Sequence, residues 1–341
     1  MNKHVVVSEF GGPEVLRLID DASLPQPAPG EVRVKVLAAG TGFTDTIIRQ
    51  GQYVGVKDKP PFTLGYDWFG QVDALGDGVA GFQRGDFVAD MPVIGAYAQY
   101  LCVKADKLVP APVGLDPAAA VAMILSYTTA YQMLTRIRPL QGGETILVHA
   151  AGGAVGTALL DLARMMGIKA YGTASAAKHQ LVRSYGAVPI DYQAEDFVGA
   201  IDRLTAGQGV DVVLDTIGAA YWARSYRCLK KGGLLVGYGA MQLTSGEERL
   251  PALLWGLLKL NVLWNLLPDG KRSTFYNIQK RRISHPKEFS EDLQALFGFL
   301  AAGKLKPAIA GRKSLEDVVE IHRQIDRAAI PGKIVLLPHG G

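Results

Sequence analysis

The stretch TILVHAAGGAVGTALLDLARMMG, residues 145–167, constrains the fold more than any other part of the chain. Its apolar start, Thr145 to Val148, reads as a buried parallel strand, and a glycine-rich turn leads from it into an amphipathic helix. Within the turn, Ala151, Gly153 and Gly156 hold three small-residue positions, with alanine in the first. That spacing serves a tight turn, a close approach of backbone to a pyrophosphate, and close packing of helix on strand. Loop amides from Gly153 through Ala154, Val155 and Gly156, at the positive end of the helix, are the expected anion holders.

The surroundings repeat the strand–helix alternation. Candidate strands at 145–149, 168–173, 187–191, 210–214, 233–238 and 261–267 match a doubly wound parallel sheet. Before them the pattern differs. Short strands at 5–7, 16–20 and 31–38, and around 70–74, 86–89 and 96–103, are separated by turns such as Gly76-Asp77-Gly78, which predicts a compact, partly closed β domain. A helix beginning at the Asp116 cap and Pro117 and running to about Arg136 separates the two patterns. At 341 residues the chain is longer than one core usually serves, so two domains are expected. The tail adds a helix near 289–302, a capping box at Ser314 and Asp317, and a last strand at 333–337.

Several classes are excluded. Cys102 and Cys228 are far apart with no C-x-x-C pair, so neither a disulfide framework nor a cysteine-rich zinc site is expected, and a reducing cytoplasm fits. A net charge of +4 gives no reason to invoke nucleic acid. The start, MNKHVVVSEF, does not read as a signal peptide. Residues 250–267 approach the length of a membrane span, but Pro251, Lys259, Asn261 and Asn265 argue for a helix followed by a buried strand, with no integral span. The basic stretch 270–287 reads as a surface excursion, either a solvated loop or a contact with a phosphorylated ligand or a partner.

The nucleotide's identity turns on the second strand. An acidic residue about 20 positions after the fingerprint marks NAD, but here Tyr171 to Lys178 holds none and the next acid is Asp191. A 2′-phosphate would meet the hydroxyls of Thr173 and Ser175 and the Lys178 ammonium instead, so NADP(H) is the expected cofactor. Lys178 could equally be an ordinary exposed lysine, and Tyr192, beyond the third strand, a half-buried surface residue or a lid on the same phosphate.

These residues resemble the medium-chain dehydrogenase/reductase superfamily, in its zinc-free quinone oxidoreductase branch that includes zeta-crystallin. The similarity runs nearly end to end through GFTDTIIRQG, LGYDWFG, HAAGGAVG, DTIG, GLLVGYG and GKIVLLP. It implies an α/β fold in which a GroES-like catalytic domain, 1–123 completed by 269–341, accompanies a Rossmann domain at 124–268, with the active site in the cleft between them. Cofactor contacts are implied at Phe43, Thr129, Ala154, Val155, Gly172, Thr173, Ser175, Lys178, Tyr192, Thr216, Gly237, Gly239 and Lys333. A homodimer through the sheet edge near 261–267 is also implied. The chain departs from zinc-dependent relatives, which carry cysteine at Gly42 and a His-Glu pair at Tyr66-Asp67, so no metal is expected. It also has Ile47 where quinone reductases of the branch often place tyrosine.

The implied chemistry is hydride delivery from NADPH to a small-molecule quinone or α,β-unsaturated carbonyl, with Tyr53 as candidate hydrogen-bond donor or as a packing aromatic. Asp45 and Asp67 lie in the same segments and can equally cap turns. The alternative is an NADPH-binding protein of little catalysis with a structural or membrane-surface role.

Overall fold

The computed structural model describes residues 1–239, 241 and 250–340. They fall into two compact units, residues 1–128 with 285 onward, and 129–284. The first unit contributes β1 (Asn2–Val7), β2 (Leu16–Asp21), β3 (Glu31–Gly40), β4 (Phe62–Thr63), β5 (Trp68–Leu75), β6 (Phe87–Asp90), β7 (Tyr100–Lys104) and β8 (Val109–Pro110). The second holds β9 (Thr145–Val148), β10 (Lys169–Ala174), β11 (Val188–Asp191), β12 (Val210–Asp215), β13 (Leu229–Gly237) and β14 (Arg272–Phe275). The chain then returns to the first with β15 (Ile309–Lys313) and β16 (Lys333–Leu336).

In the first unit, β2, β1 and β4 form one small sheet, and β15-β16-β3-β5-β6-β8 a larger one with β7 also on β3. The period-two pattern of β3 explains its place at the centre. Val32, Val34 and Val36 are fully buried, whereas Arg33 and Lys35 between them are partly exposed. β16 pairs antiparallel with β3, Val335 opposite Gly40, so the C-terminal tail completes the N-terminal domain as expected. The Ser314–Asp317 capping box is formed as well.

The second unit is a six-stranded parallel sheet in the order β11-β10-β9-β12-β13-β14, the doubly wound 3-2-1-4-5-6 arrangement. β9 (TILV) is buried from Ile146 on and β12 (VDVVLD) throughout, as parallel strands under helices must be. The helix leading into this unit starts where the sequence placed it: Asp116 accepts from Ala119 N at 3.2 Å, and Pro117 sits in the first turn.

The sixth strand corrects the sequence reading. Residues 261–267 are not a strand; the helix Leu250–Leu258 continues through Lys259–Leu263 into a tighter turn at Trp264–Leu266. Leu253, Gly256 and Leu260, at helical spacing, fill its inner side. Gly256 is needed there, because a methyl group on it would run into the Ala219 side chain. The sheet edge is instead β14, inside the stretch expected to be a surface excursion, and a further helix, Ile278–Ser284, follows it. Because β14 pairs with β13, the boundary expected at 268/269 moves to 284/285, and the earlier one from 123/124 to 128/129.

The open side of β14 is closed by the same helical segment. Ser273 N donates to Asn265 Oδ1 at 2.9 Å, Asn265 Nδ2 donates to the Ser273 carbonyl at 2.8 Å, and Phe275 N donates to Asn261 Oδ1 at 3.0 Å. Side-chain amides thus occupy ladder positions on the open side of β14. Among the described residues no helix is long and apolar enough to cross a membrane.

Candidate functional site

The glycine turn is built as its spacing demands. Ala150 takes a positive φ of 52°, the Gly153 amide closes the turn on the Ala150 carbonyl at 3.0 Å, and Gly153 caps the helix Ala154–Met166. No side chain caps that helix, so the amides of Ala154 and Val155 meet no competing protein acceptor from the cap residue. A methyl group on Gly156 would collide with the Ala150 carbonyl oxygen and stand 2.7 Å from Ala151 Cα. The helix is therefore packed on the turn at glycine distance. Alanine is tolerated at the first small position because its neighbour gives way: a Cβ on Gly172 of β10 would come within 2.6 Å of Ala151 Cβ.

Beyond β10 the chain turns at Ser175, whose carbonyl accepts from Lys178 N at 2.9 Å. The Lys178 stem lies against the glycine turn, since a Cβ on Gly152 would stand 2.7 Å from Lys178 Cδ. Partial burial lowers the Lys178 pKa. No carboxylate lies in 174–178; Asp191, at the end of β11, accepts from Gln193 N at 3.0 Å. Tyr192 follows it and is exposed. Thr173 differs from expectation: it is buried, and its hydroxyl is engaged with His149 Nδ1 at 3.0 Å, so it is not free to donate to a phosphate.

At the ends of β12 and β13, Thr216 and Gly239 meet closely, for a methyl group on Gly239 would strike Thr216 Oγ1. Gly237 is closely packed, because a Cβ there would crowd Leu260 and Trp222. Thr129 is buried in the helical run that opens the second unit.

Sequence reasoning missed a buried network beneath the turn. Ser225 Oγ donates to Asp215 Oδ2 at 2.6 Å, leaving its oxygen to accept from His149 Nε2 at 3.0 Å; His149 Nδ1 then accepts from the Thr173 hydroxyl. All four residues are buried. Burial lowers the His149 pKa and raises that of Asp215, against which the histidine acts in the opposite direction. Although the residue types are those of a hydrolytic triad, the serine proton is directed at the aspartate and its oxygen is inaccessible. The network ties the ends of β9, β10 and β12 to the helix Ala219–Arg227. Its signal was the recurrence of polar residues, His149, Thr173 and Asp215, at or just beyond strand ends.

The first unit holds Phe43, Tyr53 and Lys333. Phe43 opens the helix Phe43–Arg49, capped by Asp45, whose Oδ2 accepts from Gly42 N at 2.8 Å. The partly exposed Tyr53 hydroxyl lies 2.8 Å from that of buried Tyr66, the rings edge to face. Burial raises the Tyr53 pKa, and the bond to Tyr66 opposes it. Lys333 is 4% exposed, with Nζ 3.6 Å from Asp67 Oδ2. Gly40 makes room for the pair: a Cβ there would stand 2.6 Å from Lys333 Nζ. Asp45 is raised to about 7 by burial and by Asp67, against Lys333.

A zinc ion does not fit the positions that hold it in zinc-dependent relatives. Gly42 has no ligand atom, the Tyr66 hydroxyl is bonded to Tyr53, and Asp67 is paired with Lys333.

A 3-2-1-4-5-6 parallel sheet opened by a glycine turn defines the second unit as a dinucleotide-binding fold. Residues 28–113 match the alcohol dehydrogenase GroES-like domain, and residues 185–336 the zinc-binding dehydrogenase model. The chain is 32% identical over 345 residues to a quinone oxidoreductase of Pseudomonas aeruginosa, covering 99% of this chain and 100% of that protein. It is 31% identical over 349 residues to the synaptic vesicle membrane protein VAT-1 homolog of Rattus norvegicus, covering 98% of this chain and 83% of that protein. Among solved structures, the quinone oxidoreductase of Escherichia coli complexed with NADPH superposes with a TM-score of 0.86 at 30% identity, covering 98% of this chain and 100% of that one. The chain belongs to the medium-chain dehydrogenase/reductase superfamily, in its zeta-crystallin-like quinone oxidoreductase branch.

Proposed function

We propose that this protein is a zinc-independent, NADPH-dependent reductase of quinones or α,β-unsaturated carbonyls. The observation that carries the reading is the second-strand corner, where the Lys178 stem packs on the glycine turn and residues 174–178 supply no carboxylate. A 2′-phosphate there meets an ammonium and the Ser175 hydroxyl, and no acid to repel it. Quinone oxidoreductases among the relatives, one of them crystallised with NADPH, support the same cofactor.

When bound, NADPH supplies a hydride, and the acceptor's carbonyl oxygen gathers negative charge as that hydride reaches carbon. The chain's part is to hold that oxygen. Tyr66 is buried and bonded to Tyr53, so with Tyr66 donating, the Tyr53 proton is left for the acceptor oxygen. The phenol stays protonated at neutral pH, because burial moves its pKa upward. With Gly42 lacking a ligand atom, the substrates served are those already electrophilic at carbon.

Steady-state NADPH oxidation against a panel of quinones and enals tests this. Turnover on at least one class, with NADPH preferred to NADH, is expected. Tight NADPH binding with no turnover on any acceptor would refute the catalytic part.

A further inference from the structure

Behind the Gly42 turn lies a carboxyl to which the reductase reading gives no task. Asp45 is 1% exposed; its Oδ2 accepts from Gly42 N at 2.8 Å, and Oδ1, equally buried, has no hydrogen-bond partner. The Tyr97 hydroxyl acts on Asp45 as well but closes no hydrogen bond with it. The cations of this cluster are engaged elsewhere. Lys333 Nζ lies 3.6 Å from Asp67 Oδ2, and Arg49 donates to His322 Nδ1 at 3.0 Å and to Asp326 Oδ2 at 2.9 Å. A buried carboxyl with one amide donor, no cation of its own and a second carboxyl beside it holds a proton rather than a charge. Burial and Asp67 accordingly raise its pKa to about 7, against Lys333, the Gly42 amide and Tyr97.

The direction of that carboxyl is what gives it a use. Among the described residues, the only heavy atom beyond the chain neighbours within 4 Å of a Cβ built on Gly42 is Asp45 Oδ2, at 3.9 Å. The side of Gly42 that would carry a side chain is thus open, and the Asp45 carboxyl borders it. Backbone pairing ties this place to the tyrosine pair. Gly40 N donates to the Asp67 carbonyl at 3.0 Å, and Asp67 follows Tyr66, the partner of Tyr53.

We propose that Asp45 is the proton donor to the reduced acceptor, delivering its proton through the open side of Gly42. The proposal rests on the reductase reading above. A hydride brings two electrons and one proton, so the acceptor that receives it is left as an anion and needs one proton more. Tyr53 holds the oxygen that gathers the charge, and its raised pKa keeps the proton on the phenol. The Asp45 O–H bond breaks instead. Its proton forms the O–H bond of a hydroquinone or the C–H bond at the α-carbon of a saturated carbonyl product. Asp45, left as a carboxylate, takes a proton back from solvent before the next turnover, so one NADPH and one solvent proton are consumed for each acceptor reduced.

The pH dependence of kcat in wild type and Asp45→Asn tests this. Wild-type kcat should fall as pH rises through about 7, where the donor loses its proton. Asp45→Asn should lower kcat at pH 6 by about 100-fold, show no limb near pH 7 and leave NADPH affinity little changed. Tyr53→Phe should lower kcat but keep that limb. A second readout needs no turnover: in the protein without nucleotide, an infrared band of a protonated carboxyl should fade as pH rises through about 7 and be missing from Asp45→Asn. Should the asparagine variant not fold, Tyr97→Phe should shift the limb to higher pH, because it removes a hydroxyl that holds the Asp45 pKa down. Were ionised Asp45 only a burden on stability, Asp45→Asn would be as active as wild type at pH 6 and more active at pH 8. That result, a limb that either Asp45→Asn or Tyr97→Phe leaves in place, or the absence of the infrared band would each overturn the proposal while leaving the reductase reading intact. A wild type inactive on every acceptor would refute the reductase reading, and the proposal with it.

Discussion

Replacing Asp45 with asparagine isolates the cost of ionising a buried carboxyl in the first unit. Asp45 is 1% exposed and its pKa is raised from 3.8 to about 7, first by burial and then by Asp67. The folded pKa is the higher one, so between these values the folded chain holds a proton that the unfolded chain releases. The associated stability is fully present below about pH 4 and is lost as pH climbs to about 7. A rise of about three pKa units, at about 1.4 kcal/mol each, corresponds to about 4 kcal/mol for an isolated group. Asp67 and Lys333 share in this cluster, so an effect of about 2–4 kcal/mol is expected. Asparagine keeps an oxygen for the Gly42 amide and never ionises. Urea denaturation followed by circular dichroism at pH 5 and pH 8 is the assay. The variant should exceed wild type at pH 8 by that amount, and the gap should shrink toward acid pH. A variant no more stable than wild type at pH 8, or a gap indifferent to pH, would refute the reasoning.

Further outcomes follow from the same geometry. Gly156→Ala should destabilise the second unit by about 1–3 kcal/mol and weaken dinucleotide binding, because the added methyl collides with the Ala150 carbonyl; thermal melts and NADPH titration check this. Asn265→Leu uncaps the backbone N–H and carbonyl of Ser273 and should cost about 1–3 kcal/mol, read by denaturation, with self-association through the exposed β14 edge visible in light scattering. Tyr53→Phe should lower kcat by about 10–100-fold with little change in NADPH affinity, measured by steady-state kinetics, whereas unchanged kcat would return Tyr53 to a packing role.

Much of the second unit was legible because its signals are local. The run 145–148, the glycine spacing and the missing acid after β10 lie within about 30 residues of one another and need no tertiary knowledge. The sixth strand was not legible. Residues 250–266 are apolar at both helical and extended periods, and tertiary packing decided, through Leu260 beneath Gly237 and the asparagines reaching β14. Thr173 reads from the sequence as a strand-end hydroxyl, but its direction depends on His149, which no spacing discloses. In the first unit the return of the tail rested on resemblance, since β16 pairs with β3 across about 300 residues. Asp45 and Asp67 read equally as caps or as chemistry; Asp45 does cap its helix, and both also join Lys333 in one buried cluster.

The central claim is that Lys178 reads the additional phosphate that separates NADPH from NADH. Fluorescence titration of both nucleotides into wild type and Lys178→Ala measures this most directly. A charged hydrogen bond at a half-exposed site is worth about 1–2 kcal/mol, so NADPH should weaken by about 5–30-fold and NADH should hardly change. Equal losses for the two nucleotides, or none for either, would contradict the claim.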